Sequence, residues 1–247
     1  MSDIKPDLSI QGALLESKFT LDPEKLGMMN KIGWQKYITP ENTAFVMVDH
    51  DNAALSPNGI LCKIGASPMW EEIGALENTL KLVKAARTHN MKIYWLRFGY
   101  YGLGRDIRPD SPHGEWLAML QAEFPGAFLR GSWDRDTLDE LKAVMEPQDI
   151  IIDKTTFNGF IGTNLAQCLT LEGIKNIILC GIVTDNCVSG TARTAFDMGY
   201  YPLVVADATV CNNWETQYHT LYWFSEMIAT VVMADEIVDV LQRNSLK

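Results

Sequence analysis

The chain has 247 residues, 47% of them hydrophobic, and a formal net charge of −10. That length suits one α/β domain with extensions, and the apolar content is ample for a large core. The acidic balance argues against nucleic acid and anionic membranes as partners, and no stretch reaches the ~18 apolar residues of a membrane span.

The first forty residues contain Pro6, Pro23 and Pro40 and no sustained period. Leu14, Leu15, Leu26, Met28, Met29 and Trp34 are too many apolar groups for a solvated tail. Residues 1–40 are therefore expected to form an N-terminal arm, packed on the body or on a second subunit, and residues 41–247 the main domain. Thr43 to Val48 reads as a strand apolar on both faces, hence central. Asp49 ends it, followed by His50, Asp51 and Asn52, and neither G-x-G-x-x-G nor a P-loop follows. Glu71 to His89 shows a helical stripe of Ile73, Leu76, Leu80, Val83 and Ala86. Lys92 to Leu96 is the second strand, ending at Arg97.

Residues 99–135 are long and irregular, with a helical piece over Glu115 to Glu123; a connection of this length usually serves as a lid or an interface. A short helix is expected over Thr137 to Met145 and a third strand over Asp149 to Ile152, followed by Asp153 and Lys154. Then come a helix (Thr163 to Leu171), a strand (Asn176 to Cys180) and a strand (Tyr201 to Ala206) ending at Asp207. A helix (Trp214 to Met227), a strand (Ala229 to Met233) and a helix (Ala234 to Leu241) close the chain. This alternation implies an α/β three-layer sandwich: a six-stranded parallel sheet with helices on both faces. Right-handed crossovers place the carboxyl ends of strands one, three and four along one edge, which brings Asp49, Lys154 and Cys187 together there.

The turn after the fourth strand has the most chemical content. It reads I-I-L-C-G-I-V-T-D-N-C-V-S-G-T-A-R-T-A-F-D-M-G from Ile177 to Gly199. Gly181 breaks the apolar run, and Val188, Ala192, Ala195 and Phe196 then mark one face of a helix. Asp185 is positioned to cap that helix and Gly199 to end it. Cys187 falls in the first turn, where free N–H groups and the helix dipole are expected to lower its pKa and favour the thiolate. Five cysteines with no C-x-x-C pair and no zinc spacing fit a reduced, cytoplasmic setting. The N-terminus shows no secretory pattern.

V-M-V-D at 46–49, D-K at 153–154 and G-I-V-T-D-N-C-V followed by T-A-R-T-A-F-D-M-G-Y resemble the isochorismatase-like cysteine hydrolases, whose topology is Rossmann-like. The similarity runs from about Thr43 to the C-terminus. G-S-W-D at 131–134, D-E-L at 139–141 and the F-N-G-F after Lys154 look most like ureidoacrylate amidohydrolases. The I-I-D-K and T-D-x-C-V-S segments are shared with biuret-type hydrolases.

The resemblance implies a triad of Asp49, Lys154 and Cys187, with a cis peptide between Ile182 and Val183 and an oxyanion hole from the N–H groups of Val183 and Cys187. It implies cleavage of a C–N bond in a small amide, ureido or carbamoyl substrate through a thioester, with no cofactor. A homo-oligomer, dimer or tetramer, is the family habit. Asn52, Arg97 and Phe157, in the turns around the triad, are the expected substrate-binding residues.

Two departures stand out. His50 and Asp51 occupy positions where relatives often have Met-Gln or Val-Gln. No histidine lies between His50 and His89, so the second histidine of metal-binding nicotinamidases is missing and no metal is expected. The competing readings are an ether-cleaving isochorismatase, which needs no cysteine nucleophile, and a non-catalytic binding module, which leaves the three residues as coincidence.

Overall fold

The computed structural model describes residues 19–66 and 68–244. Leu14 and Leu15 of the expected arm lie outside the described residues. Six strands form one sheet: β1 (Thr43–Val48), β2 (Lys92–Phe98), β3 (Ile150–Lys154), β4 (Asn176–Ile182), β5 (Tyr201–Val210) and β6 (Thr230–Val232). The order is β3-β2-β1-β4-β5-β6, and every pairing is parallel. The longer helices are α1 (Ala75–Thr88), α2 (Pro112–Glu123), α3 (Leu165–Leu171), α4 (Ser189–Asp197), α5 (Trp214–Met227) and α6 (Ala234–Asn244). From β1 the chain winds outward to β2, and from β4 outward the other way to β5. Right-handed crossovers therefore put α1 on one face and α4 on the other. The order reverses between β1 and β4, and the crevice beyond their carboxyl ends is where open α/β sheets bind ligands.

All of β1 and β4 is buried, as their unbroken apolar runs require for strands covered on both faces. Gly181 near the end of β4 has φ 123°, and a Cβ there would collide with the Val48 carbonyl, so only glycine lets the two strand ends approach. The expected helix from Glu71 is in fact two: a single turn, Trp70–Ile73, and then α1. Gly74, at φ 73°, ends the first and opens the second. β5 continues past Ala206 to Val210, with a register shift against β4 between Leu179 and Gly181. Asp207 is therefore inside the strand rather than at its end, and its carboxylate accepts from Ala234 N at 2.8 Å.

Residues 19–42 lie on the body. Phe19 stacks on Trp214, and Trp34 and Ile38 belong to the main core. Asn30 pairs with the backbone of edge strand β6, donating to Val231 O at 2.6 Å and accepting from Val231 N at 3.1 Å. That use of an edge's free groups blocks pairing with another strand. Residues 99–135 contain α2 and build a second, smaller core of Phe98, Tyr100, Ile107, Leu117 and Phe128 beside the carboxyl ends of the sheet. Among the described residues no helix is long and apolar enough to cross a membrane.

Candidate active site

Asp49 follows β1 with φ 50°, a left-handed conformation that Asp tolerates better than most residues. Its N–H donates to Leu96 O of the neighbouring strand at 3.0 Å, which holds the turn in place. Lys154 is the last residue of β3, two strands away, and is paired in register with Phe98 of β2. Its side chain passes over the Phe98 ring, 4.8 Å from the centroid, to reach Asp49 Oδ2 at 2.6 Å. The same ammonium donates to Cys187 Sγ at 3.4 Å and to Thr156 O at 3.1 Å. Asp49, Lys154 and Cys187 thus converge, all buried.

Cys187 sits in a π-helical turn, Thr184–Val188, that leads into α4. Thr191 Oγ1, one turn on, donates to Cys187 O at 2.7 Å and accepts from Gly159 N at 2.9 Å, fastening the turn to the segment after Lys154. Asp185 does not cap a helix: its carboxylate accepts instead from the buried Cys211 thiol at 3.2 Å. The Ile182–Val183 peptide is cis. Gln217 of α5 ties down the next residue. Thr184 Oγ1 donates to its Oε1 at 2.9 Å, Cys211 N donates to the same oxygen at 2.9 Å, and its Nε2 donates to Thr209 O at 2.7 Å.

Electrostatics correct one expectation. Burial pushes the Cys187 thiol well above its usual range and Asp49 adds to this, while Lys154 pulls the other way. The helix-start argument for a standing thiolate omitted this desolvation. Burial likewise raises Asp49, with Lys154 opposing. Burial works against the Lys154 charge, but Asp49 and Cys187 outweigh it and its pKa is raised. The Lys154 ammonium lies between Asp49 and Cys187 and contacts both.

A cavity of about 180 Å³ opens onto Asp49 and Cys187. Its walls are mostly apolar, including the rings of Phe98, Trp116, Phe128 and Phe157, with Val183 beside Cys187. Phe157 is therefore in the lining. Asn52 and Arg97 are not: Asn52 Nδ2 donates to Trp133 O at 3.0 Å, and Arg97 is ion-paired with Asp153 at 3.0 Å. Strand alternation explains Arg97, since Phe98 next to it is the residue that faces the cavity. Arg130 and Arg135 converge on the same Asp153. His50 is also absent from the lining; it packs edge-on against Trp70 and Trp95, and burial lowers its pKa to about 3.

Asp51, noted above as a departure from relatives, and Trp116 of the long loop both line the cavity, whereas Asn186, Asn212 and Phe128 in the cavity and Gln217 behind it have no counterpart among the expected site residues. Only Gln217 left a local signal, as an amide on the same helical stripe as Leu221 and Phe224.

The chain matches the isochorismatase domain over residues 43–236. It is 31% identical, over 175 residues, to a ureidoacrylate amidohydrolase of Variovorax paradoxus, a span covering 68% of each protein. Among solved structures it resembles a cysteine hydrolase from Pseudomonas syringae pv. phaseolicola, with a TM-score of 0.71 and 21% identity over 91% of this chain and 100% of that one. It also resembles the N-carbamoylsarcosine amidase of Thermoplasma acidophilum, with a TM-score of 0.60 and 23% identity over 78% of this chain and 97% of that one. The fold, the parallel sheet and the match over most of its length place this chain in the isochorismatase-domain family of hydrolases.

Proposed function

We propose that the protein is a cysteine-dependent amidohydrolase acting on a C–N bond of a small amide, ureido or carbamoyl compound. The observation that carries this reading is the single Lys154 ammonium in contact with both Asp49 and Cys187 on the floor of a cavity. In this mechanism the thiol proton moves to Asp49 as Sγ attacks the carbonyl carbon. The oxyanion that forms is held by the N–H groups of Val183 and Cys187, a contribution of about 3 kcal/mol per donor. Asp49 then passes its proton to the departing nitrogen, which leaves as amine or ammonia, and a thioester remains. Water, losing a proton to Asp49, hydrolyses the thioester, and the proton returns to the thiolate. Lys154 stays charged throughout, so Asp49 is never a lone buried anion. Every step uses groups of this chain.

Residues 99–135 serve in this reading as the cover that shapes substrate choice, because α2 and its flanks supply Trp116 and Phe128 to the cavity. Five free cysteines support a reducing, cytoplasmic location, and the chain acts as a homo-oligomer, with the amide as its partner. The test is ammonia release from a panel of ureides, carbamoyl compounds and carboxamides, with acyl-enzyme trapped by mass spectrometry. Adduct on Cys187 supports the reading. Turnover that persists in Cys187→Ala, or adduct on another cysteine, overturns it.

A further inference from the structure

Asp51 plays no part in the mechanism above, yet it is buried and lies in the wall of the cavity, two residues from Asp49. One oxygen accepts from Ala54 N at 3.1 Å, capping the short turn Asn52–Leu55. Among the described residues the cavity lining has no arginine or lysine. Lys154, beneath it, is committed to Asp49. The guanidinium groups of Arg97, Arg130 and Arg135 pair with Asp153, and none of the three lines the cavity. A carboxylate ligand would lose its water among apolar rings, with a second carboxyl group beside it and no cation to receive it. Such a burial is strongly unfavourable.

Resting on the amidohydrolase reading, we infer that this cavity selects substrates uncharged along their length, and that Asp51 is the specificity-determining residue that discriminates against anionic ones. The polar groups it offers beyond the reacting centre are Asp51, Asn186 and Asn212, a set suited to carboxamide or ureido N–H and C=O groups. Burial first, and then the charge of Asp49, raise Asp51 well above the ordinary carboxylate range. The same burial and the same Asp49 charge act against a ligand carboxylate placed at this point of the wall. The named amidohydrolase relative acts on ureidoacrylate, a carboxylate, so the inference separates this chain from it.

The experiment uses one isosteric pair, 3-ureidoacrylate and 3-ureidoacrylamide, which differ at one end in charge. Binding to the Cys187→Ala protein is read by tryptophan fluorescence, since Trp116 lines the cavity, and turnover is read separately on the native enzyme. The uncharged member should bind at least thirtyfold more tightly. Asp51→Asn, which keeps the helix cap, should narrow that ratio at least tenfold in the same Cys187→Ala background. Equal or tighter binding of the anion, failure of the uncharged member to bind, or an unchanged ratio in Asp51→Asn overturns the inference. Tight binding of the uncharged member with no turnover of any amide or ureide would instead overturn the amidohydrolase reading and leave the selectivity standing.

Discussion

Lys154 reaches Asp49 from two strands away, crossing β2 over the ring of Phe98 to close a 2.6 Å ion pair. Only a long, unbranched cation spans that distance, and the low-dielectric setting makes the pair strong and its disruption costly. Lys154→Met should destabilise the protein by about 3–5 kcal/mol, the usual cost of stranding a buried partner. Hydrolysis should fall by at least about a thousandfold, since Asp49 would then favour its protonated form. Adding Asp49→Asn to Lys154→Met should restore part of the stability and none of the activity. Denaturant unfolding of the single and double variants checks this; a double variant no more stable than the single one would contradict it.

Cys187→Ser should retain the fold and lose at least about a hundredfold in kcat, because a hydroxyl is a far poorer nucleophile at a site built around a thiol. Steady-state kinetics with thermal melts decide the matter. Turnover within tenfold of the native enzyme would refute the role of Cys187.

Asp51 makes a pH-dependent claim on stability. Its carboxyl has a pKa of about 3.8 when unperturbed and a raised one in the folded protein. Between those two values the folded state holds more protons than the unfolded state, so stability falls as pH rises through that window. Asparagine keeps the cap and cannot ionise. Asp51→Asn should therefore be the more stable protein at pH 7, and the difference should vanish below about pH 4. Tm measured from pH 3.5 to 8 reads the sign directly; a variant less stable at pH 7 than at pH 4, relative to the native protein, would reverse the argument.

Arg97 is expected to be structural. Its guanidinium is a quarter exposed and pairs with Asp153, so Arg97→Met should cost about 0.5–1 kcal/mol. KM should stay within about threefold of native, which is under 1 kcal/mol. Arg135, nearly buried against the same Asp153 and packed against Gly99, should cost more, about 3 kcal/mol, on truncation to Met. A tenfold rise in KM for Arg97→Met with unchanged Tm would return Arg97 to the substrate.

Phe157 lines the cavity and contacts the rings of Phe98 and His113. Phe157→Ala should raise KM for the preferred substrate about tenfold, with a smaller change in kcat, because it removes a wall and none of the reacting groups. Phe157 is more than a third exposed, so the same variant should leave Tm within a few degrees. A kcat loss larger than the KM change would mean that the ring positions the reacting groups.

The sequence by itself determined the sheet and the places where chemistry sits. Apolar runs such as Thr43 to Val48 and Ile177 to Cys180, bounded by turn residues, read as covered strands, and the polar residue just beyond such a run stands at a strand end in Asp49, though not in Asp207, which lies inside β5. Those are local facts, and periodicity reads them. The sequence also shows the family likeness, because the G-I-V-T-D-N-C-V turn is contiguous. Tertiary structure decided which polar groups are occupied and which are free. Arg97 and Asn52 lie beside the triad in sequence, but Asp153 and the Trp133 carbonyl engage them first. Whether Cys187 rests as thiol or thiolate depends on how completely the fold buries it against the pull of Lys154, which no local pattern encodes. Asp51 reads as an ordinary cap until the walls of Trp116 and Phe128, more than sixty residues away, close a cavity around it. Secondary structure follows from neighbours along the chain, whereas charge, access and selectivity follow from neighbours across it, and only the folded packing sets those.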